Sequence, residues 1–169
     1  IYADDHSNVS LYDTYVHNNS ASNGGAGYWN NSSGSFENSV FFYNDAVSGY
    51  DAIFLYTSSL TGKYSTIASN DGIARNGSAI GLSSGSTFTL ECGIIWGHSS
   101  SVNYTPGTDV VDIIYSDVEH GFSGIGNLTV DPFFVNRYTG DFHLAPFSPL
   151  IDTCPLHHPD DIDHHNRPY

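Results

Sequence analysis

Short runs of mixed apolar and polar residues alternate along the chain with clusters of small polar ones, and no stretch keeps the apolar spacing of a helix. Three segments share one order: a β-rich run that ends on an Asn, then small residues, then an apolar restart. They read YVHNNSASNGGAGYW from Tyr15, FFYNDAVSGYDAIFL from Phe41 and TIASNDGIARNGSAIGL from Thr66. Their marker asparagines, Asn18, Asn44 and Asn70, are spaced by 26 and 26, and the restarts at Ala26, Ala52 and Ala79 by 26 and 27. A fourth run, TFTLECGIIWGHSS from Thr87, places Gly97 where the next Asn would fall.

A period in the twenties, built from short strands without helix, is the mark of a solenoid. Leucine-rich repeats share the period, but their Leu-x-x-Leu-x-Leu pattern is absent. The pattern therefore predicts an all-β chain folded as a parallel β-helix, with coils of about 26 residues. Equivalent residues of neighbouring coils then stack about 4.8 Å apart. Asn18, Asn44 and Asn70 are expected to form one such column, each amide bonding the next. After about residue 100 the repeat loosens into a loop, SSSVNYTPGT, an apolar strand, VVDIIYSDVE, and an aperiodic end, CPLHHPDDIDHHNRPY. Coils are expected over 1–126, with 127–169 as an irregular C-terminal cap of the same domain.

Composition agrees with the pattern. One Lys, three Arg and three Glu stand against 17 Gly, 14 Asn and 34 Ser plus Thr, which favours turns and strands over helix. The 169 residues are enough for one domain with a real core, although the apolar share is only 39 %. The chain has no Met and begins with Ile1, so it reads as a processed product or a piece of something longer. No run approaches the 18 apolar residues of a membrane helix, which predicts a soluble chain with no membrane span.

The formal charge of −14 argues against nucleic acid, anionic membranes and polyanionic sugars as partners, since all of these are bound through Lys and Arg. No cofactor is required by the pattern, although calcium or another divalent metal would suit an acidic extracellular chain. Cys92 and Cys154 stand far apart in the chain, which excludes a closely spaced cysteine zinc site and a CxxC redox pair. Two buried thiols and a single bridge from tail to body both remain open. Seven Asn-x-Ser/Thr sequons, at Asn8, Asn18, Asn30, Asn31, Asn76, Asn103 and Asn127, exceed the roughly three that chance gives this composition. They mark candidate glycosylation sites of a secreted protein.

These residues carry a resemblance. The small-residue turn from Asn18 to Ala26 resembles those of bacterial extracellular right-handed parallel β-helix proteins, including the polymorphic outer-membrane-protein-like repeats. The tail is the sharper match. Gly126-Asn127-Leu128, Asp131-Pro132-Phe133-Phe134, Gly140-Asp141-Phe142-His143-Leu144, Ser148-Pro149-Leu150-Ile151-Asp152, Asp161-Ile162-Asp163 and Arg167-Pro168 look like that family's terminal segment. Cys154 and His164-His165 depart from it, standing where the family usually has Gly or a Gly-containing pair. The resemblance implies a right-handed helix outside the cell. It leaves function open, because the scaffold serves lyases, hydrolases, adhesins, passenger domains and filament components.

Chemistry in the chain is sparse. A uronate lyase needs a base and cationic clamps, and only Lys63, Arg75, Arg137 and Arg167 are present. A hydrolase would need paired carboxylates, for which Asp109, Asp112, Asp117 and Glu119 are the candidates. The tail residues His157, His158, Asp160, Asp161, Asp163, His164 and His165 are the metal candidate. Phe41, Phe42, Tyr43, Phe54 and Tyr56 read as core rather than as a sugar platform. The expectation is a non-catalytic extracellular structural protein, a surface adhesin or a self-assembling filament or sheath subunit. Such a protein would associate with itself or bind carbohydrate or a cell surface. The alternative is the terminal coils of a carbohydrate-active enzyme.

Overall fold

The computed structural model describes residues 1–47, 50–70, 77–156, 158 and 162–163. Its coils follow one plan of three strands and three corners. The first coil holds β1 (Tyr2–Ala3), β2 (Asn8–Tyr12) and β3 (Tyr15–His17), with a short β4 (Ser20–Ala21). The second holds β5 (Gly27–Asn30), β6 (Ser33–Glu37), β7 (Val40–Phe42) and β8 (Asp45–Ala46). Then come β9 (Tyr50–Tyr56), β10 (Ser59–Lys63) and β11 (Thr66–Ala68), followed by β12 (Ser78–Ser83), β13 (Thr87–Glu91) and β14 (Ile94–Trp96). The last coil strands are β15 (Ser100–Asn103), β16 (Val110–Ile114) and β17 (Asp117–Val118). Corresponding strands pair in parallel to give three five-stranded sheets, β1-β5-β9-β12-β15, β2-β6-β10-β13-β16 and β3-β7-β11-β14-β17. The chain is thus a parallel β-solenoid.

One column of the second sheet runs Asn8, Ser33, Ser59, Thr87 and Val110. Successive coil steps are therefore uneven, at 25, 26, 28 and 23. From that column to the matching column of the third sheet (Tyr15, Val40, Thr66, Ile94, Asp117) is seven residues in every coil. Most of the unevenness falls on the return to the first-sheet column Gly27, Ile53, Ile80 and Val102, and the rest on the step from there to Ser33, Ser59, Thr87 and Val110. That return lengthens by one at each of the first three coils and is shortest between Ile94 and Val102. Coil length therefore varies on two sides of the solenoid and is fixed on the third.

Alternation sets the core. In β10 and β13 every second residue is buried and the rest face outward, as a strand with one wet face requires. The inward columns stack Val16, Phe41, Ile67, Ile95 and Val118 on one side, and Leu11, Phe36, Gly62, Leu90 and Ile113 on another. Gly62 has a packing reason, because a Cβ there would sit 2.3 Å from the ring of Phe36. Phe41 is fully buried, Phe42 and Phe54 nearly so, while Tyr56 is 43 % exposed at the surface.

The corners explain why a chain so rich in Ser and Asn folds. Each corner turns on a residue with positive φ: Asp13, Asn38, Tyr64, Cys92 and Tyr115 at one, and Asn18, Tyr43, Ser69 and Gly97 at another. The next residue points inward and, except at Gly93, carries an acceptor. Ser32 N–H donates to Ser58 Oγ, Ser58 N–H to Ser86 Oγ, and Ser39 N–H to Ser65 Oγ. These buried hydroxyls satisfy backbone groups that the turn removes from the strand ladder.

The tail follows a different plan. After β17, residues 119–133 cross the end of the coils, and β18 (Phe134–Asn136) pairs antiparallel with β19 (Asp141–Leu144). Among the described residues no helix is long and apolar enough to cross a membrane.

Candidate functional site

The asparagine column is real but begins one residue later than its spacing suggested. Asn19, not Asn18, is the first rung: its N–H and Nδ2 donate to Asn44 Oδ1 at 3.2 and 2.9 Å. Asn44 repeats this on Asn70 Oδ1, at 3.0 Å from both its N–H and Nδ2, and its Nδ2 also reaches the carbonyls of Val16 and Phe42. Asn18 stands at the corner with φ +55°, which turns its side chain out to His17. The first step between rungs is one residue shorter than the second, so counting the regular period back from Asn44 lands on the corner instead of the rung.

Gly97 is likewise the corner, and His98 is the rung. Its Nε2 lies 3.1 Å from Asn70 Nδ2 and accepts the Asn70 N–H at 3.4 Å. Accepting requires a neutral ring. Burial, with a smaller contribution from His120, pushes the His98 pKa down to about 3. Glu119 closes the column by taking the Gly97 and His98 N–H groups on Oε2 at 2.6 and 3.2 Å.

The His98 rung makes acid sensitivity an expected property. A histidine whose folded pKa is depressed stabilises the fold above its unfolded pKa, and that stability drains away as pH falls through the folded value. The window runs from about 6.5, the ordinary value of the group, down to about 3. His98→Asn keeps an acceptor in the column and removes the proton, so its melting temperature should fall less than wild type's between pH 6.5 and 4. Parallel pH–melting curves for the two proteins would show the role absent.

Of the carboxylates offered by the sequence as a hydrolase set, Asp109 and Glu119 are bound up in the same way, and Asp117 is so through one oxygen. Asp109 Oδ1 accepts the N–H groups of Gly85 and Ser86, at 2.9 and 3.0 Å, and its Oδ2 accepts that of Thr105 at 2.9 Å. Asp117 accepts the Val130 N–H at 3.0 Å, and Glu119 caps the asparagine column. Asp112 is exposed on β16. Of the cations, Lys63 pairs with Glu91 at 3.1 Å and Arg137 lies over the Tyr138 ring. Arg75 and Arg167 are outside the described residues.

Cys92 and Cys154 form a disulfide with Cα atoms 5.5 Å apart, which resolves the choice the sequence left open. The bridge fixes the tail over the third sheet. Around it, Tyr43 hydroxyl donates to the Arg137 carbonyl, Phe142 packs on Phe42, and His158 lies on the Tyr64 ring and 3.5 Å from Glu37. Tyr15 hydroxyl donates to Asp163 Oδ1 at 3.1 Å. His143 sits between two carboxylates, Asp141 Oδ1 at 2.7 Å and Asp163 Oδ2 at 2.6 Å. The hydrogen bond that His143 donates to Asp141 leads in raising the His143 pKa, and the same bond holds Asp141 below its ordinary value. The tail is thus clasped by one covalent bond and one ionic cluster.

Of the tail residues proposed as metal ligands, Asp163 and His158 make these protein contacts instead, while His157, Asp160, Asp161, His164 and His165 lie outside the described residues. Among the described residues, no group of three or more His, Cys, Asp or Glu could hold a metal ion.

The sequons divide. Asn8, Asn18, Asn31 and Asn103 are exposed, and Asn76 is outside the described residues. Asn30 Nδ2 donates to Asp4, and Asn127 Nδ2 donates to the carbonyls of Ile113 and Phe122 while its Oδ1 accepts the Ser116 N–H. Asn127 is therefore a structural cap, and a glycan on its Nδ2 would break it.

Between the tail and the third sheet lies a cavity of about 750 Å³. Its floor is the outward column Tyr15, Val40, Thr66, Ile94 and Asp117. Comparison with protein-family models, with curated proteins and with solved structures yields no match. The site must be read from its own chemistry. Sequence reasoning missed His98, the serine corners and the Tyr15–Asp163–His143 cluster. The serines carried a signal, because Ser32, Ser58 and Ser86 repeat at close to the coil period, but the many other serines of the chain hide it.

Proposed function

We propose that this chain is a non-catalytic structural module of a cell exterior, a right-handed β-solenoid of the kind its tail resembles, made for rigid surface presentation. The carrying observation is the fate of two coil carboxylates, one buried and one half-buried. Asp109 and Glu119 are occupied by backbone N–H groups. Catalytic acids and bases need a substrate within hydrogen-bond reach, and these two are turned to the protein's own backbone. The disulfide supports an oxidising compartment.

The outer face of the second sheet supports a contact role. Two of its outward columns run Asn8, Ser33, Ser59 and Thr87 beside Ser10, Ser35, Thr61 and Thr89, uncharged hydrogen-bonding groups bordered by a third column of Tyr12, Glu37, Lys63 and Glu91. At one end β1, β2 and β3 are the edge strands of their sheets, and strand addition there would extend the solenoid with another coil or copy.

Two measurements on the same disulfide-bonded protein test this reading. Incubation with neutral and uronate polysaccharides should release no reducing ends or unsaturated products above a heat-denatured control. Negative-stain images of concentrated protein should show ordered assemblies. Product release that disappears in Asp112→Asn would replace the proposal with the enzyme reading.

A further inference from the structure

The cavity beneath the tail is lined at one end by a carboxylate that the described residues satisfy only in part. Asp117 is 2 % exposed and lines the cavity at one end of its floor. Its Oδ1 accepts the Val130 N–H, but Oδ2 is buried with no hydrogen-bond partner among the described residues. Burial raises the Asp117 pKa to about 6, the Val130 N–H opposes this, and the nearby Asp131 and Glu119 carboxylates add to the rise. An unpaired buried carboxylate is costly, and it is relieved by a donor that also brings positive charge.

The lining decides what such a donor can be. From Asp117 the floor continues over Ile94, Thr66 and Val40, four strand spacings or about 19 Å to Tyr15. Phe142, Leu144, Leu150 and Leu156 close over it from the tail. Among the described residues, Asp117, Asp141 and Asp152 line the cavity with two histidines, His143 and His158, and no Lys or Arg does. An anion would meet three carboxylates, and a strongly polar ligand would meet an apolar floor.

We propose that the cavity binds a small cationic amphiphile, a primary alkyl- or arylalkylammonium, with its N–H on Asp117 Oδ2 and its apolar body along Ile94, Thr66 and Val40. The ammonium supplies a charge-assisted hydrogen bond where no described residue supplies one, and the chain displaces water from the floor. Nothing in this binding requires turnover, so it stands apart from the structural reading above.

The test is titration calorimetry on the disulfide-bonded protein with octylammonium, below its micelle threshold and at 150 mM salt to screen the acidic surface. Octanoate and 1-octanol serve as comparators. One saturable site is expected, with octylammonium at least about tenfold tighter than either comparator. Affinity should rise from pH 5 to 7.5 as Asp117 ionises. Asp117→Asn should weaken octylammonium by about tenfold or more and leave 1-octanol nearly unchanged. Thr66→Trp, which fills the floor and leaves Asp117 in place, should weaken both, and circular dichroism melts check that each variant is folded. Absence of a saturable site, equal affinity for octanoate, or undiminished binding in folded Asp117→Asn or folded Thr66→Trp overturns the proposal.

Discussion

The double variant Cys92→Ala/Cys154→Ala should unfold with about 4 kcal/mol less stability than the oxidised protein, because the bridge joins positions separated by 62 in the sequence. In the chain-entropy account this stabilisation comes from restricting the unfolded ensemble, and it grows slowly with loop length. Here a second effect has the same sign. The bridge joins the corner residue Cys92 to a tail whose other ties are side-chain contacts, several of them exposed. Cutting it should therefore increase proteolysis within 141–156 before the coils melt. Urea denaturation followed by tryptophan emission reads the global term, and limited proteolysis the local one. An unchanged midpoint would mean that the clasp and the apolar packing already hold the tail.

The second large effect is expected at Asn44. It is 1 % exposed, and its Nδ2 donates to Asn70 Oδ1 and to the carbonyls of Val16 and Phe42. Asn44→Ala leaves these buried acceptors short of a donor, at about 1–3 kcal/mol for each group left unsatisfied, so the loss should reach about 3 kcal/mol. Asn44→Asp is the sharper version. It keeps the shape but turns a donor into an acceptor facing three oxygens, and should be at least as destabilising at pH 7. Lowering the pH protonates the new carboxyl and should return part of that loss relative to wild type. Thermal melts of the three proteins at pH 7 and pH 5 are sufficient, and an Asn44→Ala midpoint within a degree of wild type would dismiss the ladder as a stabilising element.

How far the sequence could be read follows from how each feature is encoded. The solenoid was legible because parallel stacking makes every coil answer to the same constraints, so the period appears in composition as well as in position. The column through Asn44 and Asn70 was legible for the same reason. Its ends were not. Asn18, Tyr43, Ser69 and Gly97 share a backbone conformation and no side-chain chemistry, so nothing in their identities distinguishes corner from rung. His98 performs the acceptor role of an Asn only because burial keeps it neutral, and burial is not visible in a list of residues. The clasp was beyond reach for a plainer reason: Tyr15 and Asp163 stand near opposite ends of the chain and belong to no repeat. The disulfide was one of two readings until the tail was seen to lie over Cys92.

The uneven coil lengths carry a consequence for how such a chain can change. One side of the solenoid is locked, with seven residues between the second and third sheets in every coil. The other two sides change length from coil to coil and still deliver the next strand into parallel pairing. Insertions and deletions are thus tolerated on those two sides and disruptive on the locked one, where one added residue would turn every following side chain to the opposite face. The molecule has two margins along which new loops can be written, by mutation or by design, and one that holds the stack as it is.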